Sequence, residues 1–207
     1  MKVAVIGAGN MGTGLARSLV AKHEVAVGSR DPEKAQSVAR ELGAAGGAGY
    51  ADAVADAEVV FLAVPWPAVE DTLAQVGDLS GKVLVDITNP YVGGKLQLHE
   101  NTSNAEEIQK RAAGAHVVKG WNTIFSPIAQ SGPDFDGQAA SVFLASDDDE
   151  AKQTVASLAR DMGYDPIDCG PLANARDLER LLGLLGTVGQ SFGWGTWALK
   201  VLRRTAA

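Results

Sequence analysis

The segment Gly7-Ala8-Gly9-Asn10-Met11-Gly12 follows directly on the apolar run Val3-Ala4-Val5-Ile6 and leads into Leu15, Leu19 and Val20 at helical spacing. A G-x-G-x-x-G turn between a buried strand and a helix leaves few folds open. Gly7 permits a tight turn, Gly9 lets the backbone approach a pyrophosphate, and Gly12 lets helix and strand pack closely. The phosphates then face the helix N-terminus. Glycine-rich turns are common, so the triad alone says little. Here a strand precedes it, a helix follows, and a second strand, Glu24 to Gly28, comes at the right distance. That is the context a dinucleotide-binding turn requires.

The end of the second strand indicates which dinucleotide. An NAD site carries an acidic residue about 20 positions past the glycines, on the ribose 2′-hydroxyl. This chain has Gly28-Ser29-Arg30 there. A carboxylate would repel a 2′-phosphate, whereas a Ser hydroxyl and an Arg guanidinium bind one by charge-assisted hydrogen bonds. Lys34 can add a third contact. Asp31 is acidic and adjacent, but Asp31-Pro32-Glu33 has the pattern of an N-cap, a first-position Pro and a first-turn acid. The pattern predicts a preference for NADP.

Composition narrows the remaining options. The 207 residues suffice for one doubly wound domain with a small extension. A net charge of −7 argues against nucleic acid or an anionic membrane as partner. No apolar stretch is long enough to span a bilayer, and the chain opens on a strand, not a secretory signal. A cytoplasmic protein is expected. The one cysteine, Cys169, rules out an internal disulfide, and His23, His99 and His116 are too scattered to suggest a metal site.

Alternating apolar runs and amphipathic stretches predict an α/β, Rossmann-type, doubly wound and mostly parallel sheet. The expected strands are 2–6, 24–28, 59–64, 83–87, 116–119 and 141–145, in the order 3-2-1-4-5-6. Residues 44–49 read as a flexible connection. The acidic run Asp147-Asp148-Asp149-Glu150 reads as a solvated helix start. Residues 1–150 are expected to form the dinucleotide domain and 151–207 a small C-terminal domain. In the latter, Asn174 is a plausible cap for a helix carrying Leu178, Leu181, Leu182, Leu185 and Val188. The tail, with Phe192, Trp194 and Trp197, is apolar enough to be buried against the sheet or a second subunit, so a homodimer is expected.

An open α/β sheet places its ligands at the C-terminal strand ends. There the chain offers Trp66 after the third strand, Asn89 after the fourth, and Trp121, Asn122 and Thr123 after the fifth. A core role suits either Trp alone; two of them at one crevice suggest stacking on a planar small-molecule co-substrate. No Tyr-x-x-x-Lys pair is present, nor a His with a positioned acid, and no residue is assigned as catalytic. Lys119 is the one proton donor nearby, in a position more usual for a phosphate or surface contact. Hydride transfer between two bound rings needs alignment, not a donor.

Gly7-Ala8-Gly9-Asn10-Met11-Gly12, Val27-Gly28-Ser29-Arg30, Val64-Pro65-Trp66 and the segment from Asp168 to Arg176 resemble the NADP-dependent oxidoreductases of the deazaflavin coenzyme F420. The resemblance covers nearly the whole chain. It implies a homodimeric enzyme exchanging hydride between NADP(H) and coenzyme F420. By that similarity, Ala8, Gly9, Asn10 and Met11 contact the NADP phosphates and ribose. Ser29, Arg30 and Lys34 hold the 2′-phosphate, and Ala63, Val64 and Pro65 lie near the nicotinamide. A soluble NADPH-dependent flavin or small-acceptor reductase and a non-catalytic NADPH-sensing module stay open as alternatives.

Overall fold

The computed structural model describes residues 1–204. In chain order, β1 (Lys2–Ile6), α1 (Asn10–Leu19), β2 (Glu24–Gly28), α2 (Pro32–Leu42), β3 (Gly46–Ala48), α3 (Tyr50–Val54), β4 (Val59–Leu62), α4 (Val69–Val76) and β5 (Val83–Asp86) come first. A hairpin of β6 (Tyr91–Val92) and β7 (Lys95–Leu96) precedes α5 (Asn104–Arg111), β8 (His116–Lys119) and α6 (Ser126–Ser131). A second hairpin, β9 (Asp134–Phe135) and β10 (Gln138–Ala139), leads to β11 (Ser141–Leu144), α7 (Asp149–Asp161), β12 (Asp165–Asp168) and α8 (Ala175–Phe192).

The main sheet runs β3-β2-β1-β4-β5-β8 with every pair parallel, the expected α/β architecture. Two strand assignments are corrected. Residues 46–48 are the edge strand of this sheet, not a flexible connection. Their glycines hide the β pattern, and at Gly47 the cause is packing: an added Cβ would lie 2.3 Å from the Ala35 backbone of α2. The strand at 59–62 is therefore fourth in the chain and pairs directly with β1. Conversely, β11 is not the sixth strand of the main sheet. It pairs in parallel with β12 and touches β8 through a single antiparallel bridge, Lys119 to Ala145.

Successive residues of a strand point to opposite faces, and a parallel sheet covered on both faces reads as an unbroken apolar run. Val3 and Val5 of β1, with Val25, Phe61, Val85 and Val118, pack under α1, α2 and α7 through Leu15, Leu19, Ala35, Val155 and Leu158. Ala4 and Ile6, with Val60, Leu62 and Leu84, pack on the other face against Val54, Val69, Val76 and Ile108. Asp31 caps α2 as its pattern predicts, accepting from the amides of Glu33 (3.1 Å) and Lys34 (3.2 Å). Asp148 of the acidic run likewise caps α7 through the Ala151 amide.

Asn174 precedes α8 without capping it. Its side-chain amide donates to the Cys169 carbonyl instead. Helix α8 buries Leu178, Leu182 and Leu185. Beyond it the tail returns to the sheet, where the Leu199 carbonyl accepts from the Ser141 amide (2.8 Å) and Lys200 and Arg203 pair with Asp165. Trp197 packs on Phe125. Phe192 and Trp194 remain more than half exposed.

Candidate functional site

The chain leaves β1 towards β2 and β3, then crosses back to β4, so the sheet order reverses between β1 and β4. Ligands of open α/β sheets sit in the crevice at such a switch point. The glycine loop fills one side of it. Gly7 has φ +123°, and a Cβ there would meet the Ala63 carbonyl oxygen at 2.2 Å. A Cβ on Gly12 would meet the Gly7 carbonyl at 1.8 Å. Strand end, turn and helix thus touch backbone to backbone, with Ala63 packed behind the turn.

Gly9 differs from both. A Cβ there would meet nothing within 4 Å. Gly9 is the N-cap of α1, provides no side-chain cap, and no acidic residue occupies the first turn. In contrast, α2, α5 and α7 are each capped by an Asp or Ser side chain. The first amides of a helix lack intrahelical partners and carry partial positive charge. An open, uncapped N-terminus beside Asn10 and Met11 therefore fits a pyrophosphate.

At the end of β2, Ser29 is nearly buried, and its Oγ accepts from the Asp31 amide (3.2 Å), leaving its hydroxyl proton to donate outward. Arg30 and Lys34 are exposed. Neither forms an ion pair among the described residues. The Asp31 carboxylate, which could have repelled a phosphate, is committed to the α2 amides. With the Asp31 carboxylate turned to the helix and no ion pair on either cation among the described residues, Arg30 and Lys34 are free to bind an anion such as a 2′-phosphate.

Of the residues expected to bind the second ring, the structure leaves two at the crevice. Trp66 is half-buried just past β4, edge-on to His99 with ring centroids 5.7 Å apart. Asn89 is half-buried after β5. Trp121 is corrected to a core aromatic. It is 1% exposed, takes φ 52°, and packs edge-on between Phe61 (5.3 Å) and Tyr164 (5.9 Å). The left-handed turn carries the indole into the layer beneath α1 and α7 instead of the crevice. The same burial raises the Tyr164 hydroxyl pKa far above its ordinary value.

Asn122 and Thr123 are buried as well. The Asn122 amide donates to Asn89 Oδ1 (3.1 Å) and to the Leu178 carbonyl of α8 (2.8 Å), while Asn89 donates back to the Asn122 carbonyl (2.8 Å). Asn122 thus ties three elements together, and its own Oδ1 has no partner.

Lys119 is neither a surface nor a phosphate contact. It is fully buried, with Nζ 2.8 Å from Asp86 Oδ2, 2.8 Å from Glu179 Oε1 and 2.7 Å from the Thr88 carbonyl. Burial alone would lower its pKa, but Asp86 and Glu179 outweigh this and hold it above the usual Lys value. Burial pushes Glu179 the other way for an acid, above the ordinary carboxylate range. Glu179 was invisible in the sequence as a site neighbour because it lies 60 residues from Lys119, among the charges Arg176, Asp177 and Arg180 of an amphipathic helix where it reads as a solvated residue.

The family described as "NADP oxidoreductase coenzyme F420-dependent" matches residues 2–90. The F420-dependent NADP reductase of Methanothermobacter thermautotrophicus is 39% identical over 207 aligned positions, covering 89% of this chain and 88% of the relative. The chain belongs to the coenzyme F420-dependent NADP oxidoreductase family. It is accordingly an NADP-linked oxidoreductase. Within this family, a candidate F420-dependent NADP reductase from Arthrobacter sp. FB24 superposes at a TM-score of 0.87 with 32% identity, covering 98% of this chain and 100% of that one. The rat metalloreductase STEAP3 (Rattus norvegicus) is 36% identical over 181 residues, covering 87% of this chain but 36% of the relative. The chain spans about a third of that protein's length. No helix among the described residues is long and apolar enough to cross a membrane.

Proposed function

We propose that this protein moves a hydride reversibly between C4 of the NADP(H) nicotinamide and C5 of the deazaflavin coenzyme F420. The carrying observation is that an uncapped α1 N-terminus and an apolar cleft share one side of the sheet, joined by α6. Gln130 of α6 donates to the Asn10 carbonyl at the start of α1. The cleft begins at the first turn of α6 and has a volume of about 440 Å³, lined by Tyr91, Phe125, Pro127, Leu185, Gly189 and Trp197. That is room for a flat tricyclic ring.

In this reading the loop from Gly7 to Gly12 holds the pyrophosphate, while Ser29, Arg30 and Lys34 hold the 2′-phosphate. Ala63, Val64 and Pro65 flank the nicotinamide, and Trp66 and Asn89 border the acceptor ring from beside the cleft, which Asn89 adjoins through the Tyr91 amide that donates to its carbonyl (2.7 Å). The bound rings supply the redox chemistry, and the protein supplies their alignment, with the reacting carbons brought to roughly 3–3.5 Å. Asn122 acts on that alignment by fixing Asn89. The archaeal relatives support coenzyme F420 as acceptor because they match this chain over nearly their whole length. The metalloreductase match is confined to about a third of that protein, so its metal chemistry is not carried over. Leu184, Phe192 and Trp194, exposed on and just beyond α8, suit a two-fold contact between copies.

Steady-state assays with NADP⁺ and reduced coenzyme F420, run beside reduced FMN and FAD, test the reading. Turnover with the deazaflavin well above that with either flavin is expected. Turnover with flavin alone would reassign the protein as a flavin reductase.

A further inference from the structure

Three charged side chains, Asp86, Lys119 and Glu179, lie almost wholly out of solvent at the ends of β5 and β8 and on α8. Replacing such a cluster by well-packed hydrophobic residues is often neutral or stabilising. Its presence is better explained by what it holds. Lys119 fixes the Thr88 carbonyl, and Asp86 Oδ1 accepts from the Thr88 amide (2.7 Å). Both Glu179 oxygens accept from the Asn104 amide (2.9 and 3.2 Å). The Asn104 side-chain nitrogen donates to Thr88 Oγ1 (2.9 Å). Glu179 thus reaches Asn104 directly, and Asp86 and Lys119 reach it through Thr88; Asn104 is itself fully buried.

One atom of Asn104 remains, and it points to His99: Oδ1 lies 2.9 Å from His99 Nε2. An amide oxygen can only accept, so Nε2 carries the hydrogen and Nδ1 is the position left to exchange a proton. The His99 ring is half-buried and stands edge-on to Trp66, directly after the Ala63-Val64-Pro65 turn.

We propose that His99 is the proton-exchanging residue of the acceptor half-site, oriented through Asn104 by the buried Lys119 cluster. The inference rests on the hydride-transfer reading above. NADPH reduction of a deazaflavin breaks the nicotinamide C4–H bond and delivers the hydride pair to C5; the ring gains one proton at nitrogen, and NADP⁺ departs. Hydride alone does not balance that equation. His99 gives the proton from Nδ1 and regains one from water; in the reverse direction it accepts the proton. Asn104, Thr88, Lys119, Asp86 and Glu179 are positioning residues. The ring's direct contacts, Trp66 and Asn104, do not titrate; Glu179, Lys119 and Asp86 stand behind Asn104, and Glu100 follows His99 in the chain.

His99→Gln, assayed with NADPH and oxidised coenzyme F420 and in parallel with FMN, tests this directly. We expect kcat to fall about 10²-fold, the lower range of general acid catalysis, with the decline of kcat at rising pH abolished and NADPH affinity unchanged. An unchanged kcat and pH profile would overturn the role of His99 while leaving the acceptor reading intact. Wild-type turnover with FMN only would overturn the acceptor reading, and His99 would then be judged on the FMN arm, whose proton balance is the same. No turnover with either acceptor overturns both. Imidazole ¹⁵N shifts of the wild-type protein give a check independent of activity. In its neutral form the ring is expected to carry its hydrogen on Nε2, and a neutral ring carrying it on Nδ1 would contradict the geometry; the Nδ1 proton given to the acceptor is the second one, present only in the imidazolium.

Discussion

At the level of single residues, Gly9 and Arg30 separate binding from folding. A side chain at Gly9 meets no protein atom within 4 Å, so Gly9→Val should fold normally while its isopropyl group occupies the pyrophosphate position. Thermal unfolding within a degree or two of wild type, together with lost NADPH binding by titration calorimetry, is expected. Normal binding would place the phosphates elsewhere. Arg30 has no ion pair to lose among the described residues, so Arg30→Ala should weaken NADP(H) binding by about 1.5–3 kcal/mol, the scale of a hydrogen bond to a charged group. NAD binding should barely change. Equal losses for the two cofactors would contradict the 2′-phosphate assignment. Both residues were legible in the sequence because their chemistry is local: a turn, a strand end and a helix cap lie within a few positions of each other. Trp121 was not. Whether an aromatic at a strand end faces the crevice or the core depends on one backbone dihedral and on Phe61 and Tyr164, which only the assembled sheet brings together.

Among the elements, β1, β2, β4, β5 and β8 were readable from their apolar runs, while β3 was not, since Gly46 and Gly47 leave no pattern, Gly47 because α2 packs directly on it. The link between α8 and the sheet was equally hidden. Its helical period reveals the leucines, but Glu179 and the Leu178 carbonyl meet Lys119 and Asn122 across more than 50 residues. That buried link has a pH signature. Burial raises the Glu179 pKa in the folded protein, so between its unfolded value and its folded value the native state binds more protons than the unfolded chain. Stability then falls as pH rises through that interval. Carboxylates such as Asp168, lowered mainly by the Gly170 amide, act oppositely, and their contribution is lost only on acidification below the unfolded value. Urea denaturation from pH 5 upward should therefore show declining stability in the wild type and a flatter profile in Glu179→Gln. Stability that rises with pH over this range in the wild type, or identical slopes in both proteins, would contradict the assignment.

For the whole molecule, the fold class and the dinucleotide crevice followed from one motif in its context, whereas the acceptor side had to be built from loops, a hairpin and the tail. Leu184, Phe192, Trp194 and Leu202 are more than half exposed in a single copy, and the Phe192 and Trp194 rings stack on each other at 5.2 Å, an apolar pair suited to a contact between copies. Sedimentation velocity at micromolar concentration should give a dimer, and Trp194→Lys should shift it to monomer; a wild-type monomer would leave that surface to another partner. The central claim, that one sheet edge aligns two redox rings for direct transfer, has a more pointed test. NADPH deuterated at C4 on the transferred face should deliver its label to C5 of coenzyme F420, with deuterium retained on carbon in the reduced product. Deuterium appearing in water, or an unlabelled reduced deazaflavin, would contradict direct transfer between aligned rings.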